Sequence, residues 1–211
     1  GKPLAAVLLA TVIFVGFDIT INLGRARSVS PRDLARTVRS IFGYSGYGFY
    51  DGTREWRLTW WGDIANYTLF GDYFWTGKGY GINLAHADGY QAIGRVLPLR
   101  SPHNGHITIL ARSGVPGLLT WVLLQGAFAL SLLRAYFARR RQARGNWAKL
   151  NLWILCYWLG FMVNGTFDVY LEGPQGGIWF WCVFGFGMAA LEMQKKLTEQ
   201  SPDLFEPEPA T

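Results

Sequence analysis

The chain has 211 residues, of which 50% are hydrophobic, 16% are charged and 16% are aromatic, and its formal net charge is +6. So apolar a composition argues against a soluble protein. The two cysteines, Cys156 and Cys182, both lie in apolar segments, where a thiol behaves as a small apolar group, so we expect neither a disulfide framework nor a metal site from them.

Four apolar segments approach the roughly 20 residues that a helix needs to cross a bilayer. They are residues 3–23, 115–137, 147–163 and 177–193. The first loses its apolar character at Asp18, and the last two are short, so each alone is compatible with a buried helix. Together they predict an all-α integral membrane protein, a polytopic bundle of about four spans with a large helical external loop.

This reading divides the chain into four parts. Residues 1–23 form a span, 24–113 an external loop domain, 114–194 three further spans, and 195–211 a disordered tail. Because the chain opens on Gly1 directly at a span, we expect the N-terminal part of a larger protein, with further spans, to be missing.

The charges of the short loops predict the orientation of the spans. Residues 134–149 carry six basic and no acidic side chains, which marks this loop as cytoplasmic. Lys2 and the pair Lys195-Lys196 fall on the same side, so the tail is cytoplasmic and segment 24–113 is external. Most of the net positive charge lies in that external segment, which suggests an anionic partner such as a phosphorylated lipid or an acidic glycan.

Two helices are predicted in the first half of the external segment. A capping-box start at Ser30 and apolar residues at helical spacing predict an amphipathic helix over 31–42, either on the membrane interface or packed on neighbours. A turn over 43–52 then leads to a helix over about 53–70. On it, Arg54 and Arg57 lie one turn apart beside tryptophans, where two guanidinium groups can bind a diphosphate; stacking or ion pairing is the alternative.

A glycine-rich loop follows at Gly77-Lys78-Gly79-Tyr80-Gly81. Its backbone amides and Lys78 can contact an anion, but the spacing is that of neither a P-loop nor a dinucleotide fingerprint, and a simple tight turn is the alternative. His86, Asp88 and His106 match no zinc-binding spacing, so we expect no metal.

The segment 101–117 carries the strongest chemical signal. Ser101 is a candidate helix N-cap and Pro102 suits the first helical position, which places His103 and Asn104 in the first turn of a short helix that ends near Gly114. A histidine at the positive end of a helix tends to be neutral and close to any bound anion, so it can accept a proton. The alternative is a polar residue that only caps the helix.

The order of these features resembles the O-antigen ligase and polymerase family of bacterial membrane glycosyltransferases. The resemblance rests on Arg57 followed by Trp61, the Gly77–Gly81 turn, the Pro102-His103-Asn104 element, and Gly114 and Gly117 at the start of the next span. It covers about residues 1–190, corresponding to the C-terminal half of such proteins.

The resemblance implies a metal-independent, inverting enzyme of the bacterial inner membrane with a helical fold like that of C-type glycosyltransferases and no cofactor. It implies transfer of a glycan from a polyprenyl-diphosphate donor to a sugar, lipid or protein acceptor at the periplasmic face, for cell-surface polysaccharide synthesis. By similarity, Arg57 and Arg54 bind the diphosphate, His103 is the general base, and Asn104 and Lys78 are accessory residues. The alternative is a transporter or anionic-lipid-binding subunit without catalysis, in which Asp18, Asn164 and Asp168 line a pathway.

Overall fold

The computed structural model describes residues 16–17, 20–22, 28–32, 35, 48–91, 99–140 and 146–200. Within these ranges the chain is mainly helical. The elements, in chain order, are β1 (Ile21–Asn22), β2 (Ser28–Val29), α1 (Gly48–Leu69), α2 (Leu84–Ala87), α3 (Gly105–Arg139), α4 (Asn146–Phe167) and α5 (Pro174–Gln200). The chain forms two compact units, 1–59 and 60–211, and the division falls within α1.

The N-terminal unit contains a short antiparallel pair of strands. Ile21 pairs with Val29 and Asn22 with Ser28. Apart from this two-residue pair, the described elements are helical, as predicted. The predicted span 3–23 does not continue as a helix through Ile21–Asn22. Of the rest of that span, the structure describes residues 16, 17 and 20, and of the helix predicted over 31–42 it describes residues 31, 32 and 35. The turn predicted over 43–52 is shorter than expected, because α1 already begins at Gly48.

Three helices, α3, α4 and α5, are long and apolar enough to cross a membrane. They contain the three segments that hydropathy predicts over 115–137, 147–163 and 177–193. Many of their large apolar side chains point outward, including Leu123, Trp153 and Trp179, each half or more exposed. Such side chains suit contact with lipid rather than water. The described part of the chain is therefore a helical membrane protein.

Hydrogen bonds between helix ends define how the three spans run. Asn151, near the start of α4, bonds Gln194 near the end of α5, so these two helices are antiparallel. Arg139, at the end of α3, donates to Thr198 on α5, so α3 and α5 run in the same direction. The described basic residues near these helix ends thus gather at one end of the bundle, and the loops around 103 and 168 meet at the other. These basic residues are Arg134, Arg139, Arg140, Lys149, Lys195 and Lys196.

The core between the spans is aromatic and aliphatic. Seven buried residues form it: Phe128, Leu132, Ile154, Phe161, Phe180, Val183 and Ala190. The helices approach closely at Gly187, where a Cβ atom would lie 2.5 Å from the Phe128 ring. Small residues of this kind let membrane helices pack at short range.

The C-terminal end of α5 corrects the predicted boundary of the tail. Residues 195–200, expected to be disordered, continue the helix to Gln200. Arg139 and Thr198 join this last part of α5 to α3, which gives it a packed partner. Residues 201–211 lie outside the described ranges.

Candidate active site

The helix α3 is interrupted at Gly114, where the external segment meets the span. Gly114 has φ 67° and ψ −167°, a conformation essentially confined to glycine. Pro116 follows and has no N–H to offer the carbonyl of Arg112. The predicted short helix after residue 101 is therefore real, although it runs from Gly105 to Ser113 and the span begins immediately beyond the break.

The glycine-rich loop supplies the backbone partners that the break removes. The amides of Lys78 and Gly79 donate to the carbonyls of Ala111 and Arg112, and the amide of Val115 donates to the carbonyl of Phe74. Gly77 fits here because it has φ 60° and because a Cβ atom on it would lie 2.3 Å from the Arg112 backbone. The loop is thus a docking element for the helix break rather than an open anion cradle.

The N-terminus of α3 is capped by Asn104 and not by Ser101. The Asn104 side-chain oxygen accepts hydrogen bonds from the amides of His106 and Ile107, and Asn104 has extended backbone angles. The prediction that His103 and Asn104 lie inside the first turn is wrong. The carboxamide oxygen of Asn104 accepts from the backbone amides of the second and third residues after it, as an N-cap does, so the helix starts at Gly105.

His103 precedes this cap in a left-handed conformation with φ 53°, the only non-glycine residue with positive φ among those described. The indole nitrogen of Trp61 donates to the carbonyl of Pro102 at 2.8 Å, which fixes the chain just before it. Residues in sparsely populated backbone regions persist where the surroundings hold them, often at functional sites. The imidazole is therefore presented by a bend that the fold imposes.

The imidazole of His103 lies against Asp168, in the loop between α4 and α5. The distance from Nδ1 to Oδ1 is 3.4 Å, and the side chains are 28% and 56% exposed. A carboxylate on one ring nitrogen orients the ring. From sequence alone, Asp168 is expected only in the alternative transport pathway, because a contact across 65 residues leaves no local signal.

His106, the second histidine of the segment, has both ring nitrogens engaged. Nδ1 lies 3.1 Å from Nε1 of Trp121, and Nε2 lies 3.1 Å from the carbonyl oxygen of Met162. Because an indole can only donate, Nδ1 must accept, and Nε2 carries the proton and donates to Met162. His106 therefore joins the short helix to both α3 beyond the break and α4, and it has no nitrogen left for proton transfer.

A cavity of about 830 Å³ opens beside this cluster. Its lining contains both polar and apolar side chains. Its lining includes Gly105, the first helical residue after Asn104, and Glu172, in the same loop as Asp168. Other residues that line it are Arg100, Thr108, Arg112, Ser113, Trp121, Leu124 and Trp181. A space of this size can hold part of a lipid or a sugar.

Lys78, predicted as an accessory anion contact, is engaged within the fold. Its ammonium group lies 2.5 Å from Oδ1 of Asp88 and 4.0 Å from the centroid of the Tyr67 ring. The other Asp88 oxygen accepts from Trp60 at 2.6 Å and from Tyr67 at 3.3 Å. Burial, together with the nearby Asp88 carboxylate, raises the pKa of Tyr67 well above its usual range, so its hydroxyl stays a donor.

The two arginines predicted to bind diphosphate both lie on α1 and are half-buried. They belong to the unit 1–59, whereas His103, Asn104 and Lys78 belong to the unit 60–211. The structure brings together His103, Asn104, Asp168 and the cavity. Within the described ranges, no three His, Cys, Asp or Glu side chains are grouped as a metal site would require.

Comparison with known proteins supports one family. The family model described as O-antigen ligase matches residues 2–122. No curated protein and no solved structure matches the chain. The matched range includes all five predicted site residues, and Asp168 lies beyond it.

Proposed function

Since the chain belongs to the O-antigen ligase family, we propose that it transfers a glycan from a polyprenyl-diphosphate donor to a sugar, lipid or protein acceptor. The reaction takes place at the periplasmic face of the bacterial inner membrane. The observation that carries the proposal is the contact between His103 and Asp168 at the loop end of three apolar helices, next to a cavity.

His103 acts as the general base in this proposal. With Nδ1 directed at the Asp168 carboxylate, Nε2 accepts the proton of the acceptor hydroxyl as that oxygen attacks the anomeric carbon of the donor sugar. The bond between this carbon and the diphosphate oxygen breaks, and the configuration at the carbon inverts. Asp168 stabilises the imidazolium that forms.

Arg57, with Arg54, binds the diphosphate. The leaving group develops negative charge as the glycosidic bond breaks, and guanidinium groups stabilise such charge through paired hydrogen bonds. The two residues are three positions apart on α1, which places their side chains on neighbouring turns of one helix. These fixed cations supply the charge stabilisation that a metal ion provides in other transferases, so the reaction proceeds without metal.

Asn104 and Lys78 support the site through the fold. Asn104 caps the helix immediately after His103, and Lys78 pairs with Asp88 in the loop that docks on the helix break. Neither residue needs to touch substrate to explain its place in the structure. We therefore propose that both are positioning residues.

The test is glycan transfer in liposomes that contain the protein and a polyprenyl-diphosphate-linked glycan, with a chelator and no added metal. We expect His103→Ala to lower the rate by about 10²–10⁴-fold, the usual contribution of a general base. Arg57→Ala should weaken donor binding by roughly tenfold or more, as for loss of a hydrogen bond to a charged group. The matched controls are His86→Ala and Arg140→Ala, at exposed positions.

Near-full transfer by a folded His103→Ala variant would remove this residue from the mechanism. A wild-type protein that binds the donor but transfers nothing to sugar, lipid or protein acceptors would instead favour the non-catalytic lipid-binding function.

A further inference from the structure

The turn that follows α1 presents large apolar side chains at the surface of the protein. This segment, residues 69–75, is called the aromatic turn below, and Asp72 is its only charged residue. Phe70 is 86% exposed and Trp75 is 75% exposed, and Leu69 is exposed as well. Contiguous exposed apolar side chains mark a surface that contacts another molecule or a membrane.

Backbone contacts hold the aromatic turn in one conformation. The amide of Phe70 donates to the carbonyl of Asn66 at 3.0 Å, and the amide of Tyr73 donates to the carbonyl of Tyr67 at 3.3 Å. Gly71 lies so close to α1 that an added Cβ atom would be 2.8 Å from the carbonyl oxygen of Tyr67. The exposed side chains therefore belong to a packed turn rather than to a loose loop.

The aromatic turn lies at the level where the first long span begins. The carbonyl of Phe74 accepts from the amide of Val115, the first residue after the break, at 2.8 Å. The apolar segment 115–137 is about 34 Å long as a helix, slightly more than the roughly 30 Å of the hydrocarbon core of a bilayer. Val115 therefore lies near the edge of that core, and the aromatic turn lies beside it.

The lipid-facing surface of α3 begins at the same level. Leu119, one turn beyond Val115, is more than half exposed, and so are Val122 and Leu123 in the next turn. Apolar side chains on the outside of a membrane-crossing helix contact lipid. The aromatic turn therefore adjoins a surface that is already in lipid, at the depth of the lipid headgroups.

The side chains of the aromatic turn suit this depth chemically. Tryptophan and tyrosine combine an apolar ring with one polar group, and they are enriched where membrane proteins meet the headgroup region. Trp75 and Tyr73 have this character, and Phe70 adds an apolar ring. The single exposed carboxylate, that of Asp72, can remain hydrated at this level.

We propose that the aromatic turn inserts into the headgroup region of the membrane at the loop end of the bundle, with Phe70 and Trp75 in contact with lipid. It is a non-spanning membrane contact in addition to the three described spans. Because α1 also carries Trp61, which donates to the Pro102 carbonyl next to His103, the same helix joins this contact to the candidate base. The proposal concerns contact with the bilayer alone and does not depend on glycan transfer.

The test is the membrane depth of nitroxide spin labels on the protein in liposomes. The labels are attached at Phe70→Cys and at Trp75→Cys, one at a time, in a protein in which Cys156 and Cys182 are replaced by alanine. Their collision rates are measured with molecular oxygen, which concentrates in the bilayer, and with a nickel chelate, which stays in water. The ratio of the two rates rises with depth in the membrane.

Two further labelled positions calibrate this ratio. Leu123→Cys, on the exposed surface of α3, is the lipid reference. Glu199→Cys, an exposed position about 9 Å beyond the apolar segment 177–193 at 1.5 Å per residue, is the water reference. We expect the ratios at positions 70 and 75 to lie between the two references and closer to that of Leu123→Cys.

Two results would overturn the proposal. A ratio at both positions equal to that of Glu199→Cys would show that the aromatic turn faces water, as a surface for a soluble glycan would. Low collision rates with both reagents would show that protein covers the turn, either from this chain or from a second copy.

A second measurement needs no cysteine substitution. Lipids brominated close to the headgroup quench the fluorescence of tryptophans that lie near them. Trp75→Phe removes the exposed indole and keeps an aromatic ring, so the quenched fraction of the fluorescence should fall. Trp60→Phe is the control, because Trp60 is fully buried and its loss should not lower that fraction. An unchanged fraction in Trp75→Phe would contradict the insertion of the aromatic turn.

Discussion

Nδ1 of His103 and Oδ1 of Asp168 lie 3.4 Å apart although 65 residues separate them in the sequence. The contact exists because α4 returns the chain to the end of the bundle where α3 begins. The two side chains are 28% and 56% exposed, so the contact lies at the surface of this end of the bundle.

Asp168→Asn should lower the rate of glycan transfer, because an amide neither stabilises the imidazolium nor fixes its proton as a carboxylate does. The loss should be smaller than the about 10²–10⁴-fold effect expected for His103→Ala. Single-turnover transfer rates at saturating donor measure this. Asp72→Asn, an exposed change in the external segment, is the control, and a full rate in Asp168→Asn would contradict the orienting role.

Asn104→Ala should lower the free energy of unfolding by about 1 kcal/mol, because the amides of His106 and Ile107 lose their acceptor. Asn104→Ser should retain most of the stability, since a serine hydroxyl also caps helices. Thermal unfolding in detergent compares the two. If Asn104→Ser is stable but inactive, the residue contacts substrate and the positioning role fails.

Gly114→Ala should destabilise the protein by about 2 kcal/mol or more, because the residue has φ 67° and an added Cβ would lie 2.3 Å from the carbonyl oxygen of Phe74. Gly126 provides a matched control in the same helix, with no atom within 4 Å of an added Cβ. Gly126→Ala should be neutral or slightly stabilising. Equal unfolding temperatures for the two variants would contradict the described break.

Asp88→Ala should cost about 3–5 kcal/mol, because it leaves the largely buried Lys78 ammonium without its partner. The double variant Lys78→Met with Asp88→Ala should be more stable than Asp88→Ala alone. Chemical unfolding of the three proteins gives the coupling energy. Glu192→Ala, which breaks the exposed pair with Lys196, should change stability by about 1 kcal/mol or less.

Asn151 and Gln194 form two reciprocal amide hydrogen bonds of 2.9 Å between α4 and α5, and both are fully or almost fully buried. Either residue changed to leucine leaves the other amide unsatisfied, at a cost of about 1–2 kcal/mol. The double leucine variant should recover part of that loss, because no stranded polar group remains. Steric trapping or unfolding in mixed micelles measures the free energies of unfolding of the wild type, the two single variants and the double variant. If the loss in the double variant equals the sum of the two single losses, the two side chains do not interact.

The three described spans are predictable from sequence because a bilayer requires long apolar segments. The break at Gly114 is also predictable, since glycine is a weak helix former and Pro116, two residues later, has no N–H to donate within the helix. The cap was mispredicted because Ser101 and Asn104 are both good capping residues, and only the tertiary contact between Trp61 and the Pro102 carbonyl shows where the chain bends.

The interaction partners of the site residues are harder to predict from sequence than the spans. Asp168 reaches His103 only through the packing of three helices. Arg112 carries a usable signal, because a charged residue directly after the mainly apolar sequence Ile107–Ala111 must find polar partners. The position of those partners, three carbonyls on a distant loop, depends on how the loop docks. The family resemblance is confirmed by the match over residues 2–122, whereas the roles of Arg54, Arg57 and His103 stay predictions.

The backbone bonds at the break make the loop and the membrane helix one cooperative folding unit. The amides of Lys78 and Gly79 donate hydrogen bonds to carbonyls of the helix, and the amide of Val115, in the helix, donates to the carbonyl of Phe74, just before the loop. Movement of the loop away from the helix would leave backbone amides and carbonyls of both elements without hydrogen bonds. Because Pro116 has no N–H, the helix cannot replace the lost bond to the Arg112 carbonyl. The hydrogen-exchange rates of the Lys78, Gly79 and Val115 amides should therefore change together when a substitution or a denaturant destabilises the protein. The loop therefore cannot open as an independent lid.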